Sequence, residues 1–402
     1  MSTFPVKNFL STDTGAPALT GTAGAMISLL DALLVTGFNL KSVISLTQTA
    51  GVATATFASS HGYRPYQVVE IAGCTGGSAG FNSQYMIAST TTNTITFPVD
   101  SALPGTAAGE VTAKVAPLGW EKTFDDTNKA AYKSVASGAT GCYLYVDDTN
   151  AGYAIVRGYE NLTDINTGTG PFPSSSQQAN YYWQRYYGGS TTQAKRYEFF
   201  GTDRCFYHAI AFNTNSGSGH SGNQWPPIYG FGDFPSFKPA DSFNCMIAGS
   251  TINSTPYPSY DYGSPQTGLS CDWNHSYAPR NYTQFGGAVE LWGIGNRIPY
   301  ISGSNDPAQG ASTYPNPTDN SLLIGSRQFY LDKYDNNAIN RNYRGIKPGL
   351  YWLLQAIPMS PNDIVDGVVG YDGKVFMLVS CTAYFAYEGR IAIDLTGPWH
   401  VS

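Results

Sequence analysis

The chain has 402 residues, of which 12% are charged and 14% aromatic, with 44 Gly, 24 Pro and 29 Tyr. That length gives room for two or three domains and a sizeable core. Low charge with many aromatics excludes a solvating disordered chain, and a net charge of −6 with only 22 Lys plus Arg and no basic run excludes a binder of phosphate backbones.

Residues 1–40 carry the one convincing helical pattern. Met26, Leu29, Leu30, Leu33 and Leu34 recur at i, i+3, i+4, i+7 and i+8, a one-sided apolar stripe. Thr20 or Thr22 is positioned to cap its start, and Gly37 to end it. The stripe has two destinations: packing on its own domain, or docking between neighbouring subunits of an assembly. The first residues lack the order of a signal peptide, and no apolar run approaches the ~20 residues of a membrane span. A soluble protein made in a cytoplasm is therefore expected, with no membrane partner.

Residues 41–117 read as a small β module. Val52–Phe57, Gln67–Ala72, Gln84–Ala88, Thr94–Phe97 and Glu110–Lys114 are short strand patterns at the spacing of a small barrel or sandwich. The Gly-rich stretch 73–80 has no Gly-Lys-Ser/Thr ending and no helix after it, so it is no phosphate loop. His61 reads as a turn residue.

Residues 118–402 read as a larger, loop-rich β-sandwich domain, organised around 141–173. Cys142, Leu144 and Val146 alternate with Tyr143, Tyr145 and Asp147, the turn 148–152 follows, and Ala154 and Val156 begin a return strand. The run 166–173, rich in Gly and Pro, is expected to carry no regular structure. Tyr181, Tyr182, Trp183, Tyr186 and Tyr187 form a dense aromatic run. It is either a strand with rings on both faces or a contact platform for sugar or protein. Lys195–Phe212 reads as two strands about a turn at 201–203, with His208 a hydrogen-bonded structural residue; 231–239 reads as loop and Phe243–Ala248 as a buried strand. Residues 249–320 are the most loop-like and suggest a rigid Tyr-rich surface, including Tyr257 to Tyr262. Five further strand patterns follow, from Arg327 to Asp394. The six cysteines show no CxxC pair, so neither zinc nor iron–sulfur ligation is expected. Cys142 and Cys245 read as small buried hydrophobes.

Several stretches together resemble a family of tailed-bacteriophage virion structural proteins. They are GAPALTG before the helix, GVATATF with HGY, GWEKTFDDTNKAAY, VRGYENLTDINTGTGPFP, GDFPSFKPADSFNCMIAG, GIKPGLY and the terminal IDLTGPW. The resemblance covers most of the chain, least at 249–320, and the module at 41–117 resembles small β modules of phage tail and appendage proteins. It implies a homo-oligomeric virion component (tail or neck appendage, or capsid decoration) located in the particle. Its partners would be other virion proteins and copies of itself, with residues 1–40 as an arm docking through the five stripe residues. It implies no catalytic residues and no cofactor.

Two other functions compete. A glycoside hydrolase or depolymerase needs two carboxylates flanking the scissile bond. Asp147, Asp148, Asp233, Asp241, Asp261 and Asp272 are the candidates, but most sit where turns use Asp for backbone hydrogen bonds. No Gly-x-Ser-x-Gly elbow is present. A host-surface carbohydrate binder would use exposed rings around Tyr181–Tyr187 and Tyr257–Tyr262. The expectation is a mainly β, non-enzymatic protein acting through protein contacts.

Overall fold

Strand-forming alternation is realised through the middle of the chain. A computed structural model describes residues 6–186, 191–211, 228–251, 276–294, 312–333, 341–353, 355–356, 359–384 and 387–400. Tyr143–Asp147 pairs antiparallel with Tyr153–Asp164, placing Val146 opposite Val156, both fully buried. With Trp120–Asp126, Lys129–Ser134, Thr167–Phe172 and Tyr182–Gln184 these form an antiparallel hairpin sheet.

Thr167–Phe172 corrects the expectation that this run carries no regular structure: it pairs with the end of Tyr153–Asp164. Its glycines are what let the strands approach. A side chain at Gly168 would meet Leu162 Cδ2 at 2.4 Å, and Gly170, with φ +63°, has Glu160 where a Cβ would point.

The small module has eight strands where five patterns were expected, in two antiparallel sheets of four; Phe38–Ser42, Ser45–Thr49 and Ser89–Thr90 are the additions. One runs Phe38–Ser42, Gly109–Val115, Val68–Cys74, Ser83–Met86; the other runs Ser45–Thr49, Val52–Thr56, Thr94–Pro98, Ser89–Thr90. Leu46, Ala53, Ala55, Val69, Ile71, Ile95 and Phe97, all at most 1% exposed, fill its interior.

Twelve of the remaining described strands join one large antiparallel sheet, while Ser312–Thr313 and Gln355–Ala356 pair parallel apart from it. Lys7–Leu10 forms one edge beside Tyr197–Gly201, followed by Cys205–Ile210, Ile228–Asp233, Cys245–Ala248, Ser276–Ala278 and Val289–Ile294. Ile324–Lys333, Arg341–Leu353, Tyr387–Asp394, Phe376–Tyr384 and Ile364–Val365 complete it. Phe231–Asp233 are thus strand rather than loop. Period-two alternation splits the first strands of the sheet between two cores, and Tyr351, Leu353, Phe376, Leu378 and Ala392 of its later strands face a third. Phe206, Ile210, Phe231, Cys245 and Ile247 face the hairpin sheet, the helix and the small module. Cys205, Tyr207, Ala209, Met246 and Ala248 face Ile391, Ile393 and Trp399.

The helix is α over Ala25–Leu30 and π over Asp31–Thr36, ending at Gly37 with φ +74°. Met26, Leu29, Leu30, Leu33 and Leu34 are each at most 1% exposed and lie inside the first of these cores. The docking reading of the stripe is therefore corrected. Its apolar face is already covered by its own chain, so nothing of it is left for a neighbouring subunit. Neither Thr20 nor Thr22 caps the helix. Gly24 stands at the N-cap without a side-chain bond, and the Met26 amide donates to Asp148 Oδ2 at 2.8 Å. The cap comes from the hairpin, 122 residues away in sequence.

Candidate functional site

Among the described residues, a group of exposed rings beside the large sheet is held by a buried ion triad. Arg344 is fully buried and contacts Asp241 at 2.8 Å and Asp332 at 3.0 Å. Burial pushes the Asp332 carboxyl up, opposed by Arg344 and by the Tyr282 amide that donates to it at 2.5 Å. Ser236 donates to Asp241 at 2.6 Å, the Phe237 amide donates to the Arg344 carbonyl at 2.9 Å, and Ile346 donates to the Pro235 carbonyl at 2.9 Å. The 234–241 loop is thereby laced to the Arg341–Leu353 strand. Phe234 anchors it from below against Tyr330, ring centroids 5.1 Å apart.

That bracing leaves Phe237 49% exposed, 6.0 Å from Phe329, which in turn meets Tyr343 edge-on at 6.2 Å. Tyr343 is 63% exposed. The segment after Ala278 joins the same frame. Tyr282 is tied to Asp332, Gln284 reaches the Ala240 carbonyl at 3.2 Å, and Phe285 is 80% exposed. Arg280 fixes the segment's base, stacking over Phe243 at 4.2 Å and pairing with both Glu160 oxygens at 2.8 and 2.7 Å. These rings are held by backbone and ion-pair contacts, so little ordering entropy would remain to be lost if they were covered. On the small module, Leu40 and Ile44 are 67% and 66% exposed.

The anticipated aromatic platform is placed elsewhere. Tyr181, Tyr182 and Trp183 are buried, the Trp183 indole donating to the Ala248 carbonyl at 2.8 Å. Tyr186 is half-buried beneath Lys195, and Tyr187 and Tyr257 to Tyr262 lie outside the described residues. The platform reading of 181–183 is corrected: those rings bridge the hairpin sheet to the large sheet and cannot reach a ligand.

The carboxylates first considered for hydrolysis have structural partners where they are described. Asp147 caps its own turn, accepting from the Thr149 amide at 3.1 Å and hydroxyl at 2.6 Å. Asp148 is buried against Arg185 at 2.8 Å while capping the helix; burial raises its carboxyl to about 6, against the pull of Arg185 and the helix amides. Asp233 accepts from Thr140 and Asp241 belongs to the triad; Asp261 and Asp272 lie outside the described residues. A polar cleft of about 470 Å³ opens between the helix and the Trp120–Ser134 hairpin, lined among others by Thr22, Ser28, Asp125, Asn128 and Lys129. Among the described residues no three His, Cys, Asp or Glu side chains are grouped to hold a metal ion.

His208 is buried as expected, between Trp183, Phe199 and Tyr229. However, neither ring nitrogen has a hydrogen-bond partner, and burial pushes its pKa down to about 3. The expectation of a hydrogen-bonded histidine is corrected: the ring is held by aromatic packing alone.

No protein-family model matches the chain, and no curated protein does. Among solved structures, the endosialidase of phage phi92 aligns over 90% of this chain and 53% of its own, with 10% identity and a TM-score of 0.15. The chain thus spans about half the length of that protein. Similarity this slight carries no argument about fold or activity.

Proposed function

We propose that the protein is a structural component of a bacteriophage virion, acting through contacts with copies of itself and with other virion proteins. The observation that carries this reading is the braced surface of Phe237, Phe329, Tyr343, Tyr282 and Phe285. Phe237, Tyr343 and Phe285, 49%, 63% and 80% exposed on segments tied to a buried ion triad, are what a permanent protein contact covers. The sequence stretches that resemble phage virion proteins support it. One of them, GDFPSFKPADSFNCMIAG, contains both Phe237 and the Asp241 that braces it.

The test is assembly. Purified protein is expected to scatter light as a multiple of one chain and to enter particles produced without it. The Phe237→Ser, Tyr343→Ser double variant should keep its circular dichroism spectrum and melting temperature yet lose incorporation. Incorporation undiminished in that variant would sink the reading.

A further inference from the structure

Asp233 ties together two pieces of backbone that the sequence sets far apart. Its carboxylate accepts from the Thr140 amide at 2.8 Å and the Thr140 hydroxyl at 2.6 Å. In the antiparallel pair of Ile228–Asp233 with Cys245–Ala248, Asp233 stands directly across from Cys245. Cys142 follows Thr140 by two residues, and its amide lies 3.5 Å from the Thr140 hydroxyl.

Strand alternation then decides which thiols meet. Cys245 shares a face with Phe231 and Ile247 and enters the core that also holds Cys142. Cys205 shares the opposite face with Tyr207 and Met246 and enters the other core. Cys142 and Cys245 are both free, buried thiols, and after burial the neighbouring Cys142 thiol is the next cause that holds the Cys245 thiol above its ordinary pKa.

We propose that Cys142 and Cys245 are a latent disulfide site, closed by exchange with a small-molecule disulfide and joining the hairpin sheet to the large sheet. Cys142 is the entering nucleophile. It is 5% exposed against 1% for Cys245, and it directly follows a loop whose Gly138 and Gly141 have φ +76° and +75°. The Cys142 thiolate attacks one sulfur of oxidised glutathione, whose S–S bond breaks and releases one glutathione thiolate. Cys245, losing its proton, then attacks the Cys142 sulfur of the mixed disulfide and expels the second. Two electrons pass from the protein to glutathione, the two released thiolates take up the two protons, and the protein is left two hydrogens lighter.

The site is independent of the virion reading and is tested separately. The full chain is incubated with oxidised glutathione at mildly alkaline pH, and in parallel refolded in a glutathione redox buffer. Both samples are mapped by mass spectrometry without reduction. A Cys142–Cys245 peptide should dominate over every pairing with Cys74, Cys205, Cys271 or Cys381. It should vanish in Cys142→Ser and Cys245→Ser and persist in Cys205→Ser. The oxidised chain, with a loop of about 100 residues closed, should melt at least about 5 °C higher, reversibly on reduction. Absence of that peptide from both samples, equal yields of other pairings, or a melting point that fails to rise would overturn the proposal.

Discussion

At the scale of single residues, two buried titratable groups pull on stability in opposite directions. His208 takes up a proton near pH 3 in the folded chain but near its ordinary 6.5 once unfolded. The unfolded state binds more protons between those values, so this contribution is complete above about pH 6.5 and is lost as pH falls toward 3, at most about 1.4 kcal/mol per pH unit. Asp148 runs the other way. Its folded value of about 6 lies above its ordinary 3.8, so its contribution is present below about pH 4 and lost as pH rises through 6. Between about pH 4 and 6 the two nearly cancel. The His208→Phe variant should therefore gain on the parent progressively as pH drops from 6.5 to 3 in urea titrations. A constant difference between the two proteins would contradict the unpartnered histidine. Arg185→Ala, which leaves Asp148 buried without its cation, should cost about 3–5 kcal/mol at neutral pH. A loss below about 1 kcal/mol in the same titration would show that the pair is not buried in solution.

At the scale of elements, the N-terminal segment is part of the main fold and not an appended arm. Lys7–Leu10 edges the large sheet, the Lys7 ammonium reaches the Pro117 carbonyl, and the helix lies in the largest core with its cap supplied by Asp148. Removing residues 1–38 should yield insoluble or molten protein instead of a folded protein that fails to assemble. Leu33→Ala, at a fully buried position, should cost about 2–5 kcal/mol. A truncated chain with the parental melting temperature would return the helix to a docking role. The helical period was legible because 3.6-residue spacing marks an apolar face whatever covers it; for the same reason the spacing could not say whether the cover was this chain or another. The cap was illegible because Thr20 and Thr22 are the local candidates, whereas Asp148 arrives through tertiary packing. The Thr167–Phe172 strand was hidden by glycines that ordinarily break strands but here remove side chains from a crowded pairing.

At the scale of the whole molecule, the mainly β character was readable from alternation and turn residues, because strands such as Val52–Thr56, Thr94–Pro98 and Gly109–Val115 alternate buried and more exposed positions. Alternation fades where both faces of a strand are buried. Cys205–Ile210 and Ile228–Asp233 are buried at every position, and the aromatic run at 181–183 likewise sits between two sheets. The exposed surface escaped notice because Phe237, Phe329 and Tyr343 are far apart in sequence and meet only through the register of two strands and the Arg344 triad. A Ser-Phe-Lys-Pro turn carrying an unburied Phe was its single local signal. Under the proposed function, this surface is covered by protein in an assembled particle. That coverage is tested most directly by counting copies of parent and Phe237→Ser, Tyr343→Ser protein in particles assembled without the native gene product, by quantitative mass spectrometry. The parent should show a fixed copy number per particle and the folded variant at least a tenfold loss. Equal copy numbers would show that the rings face solvent in the particle and that its contacts lie elsewhere.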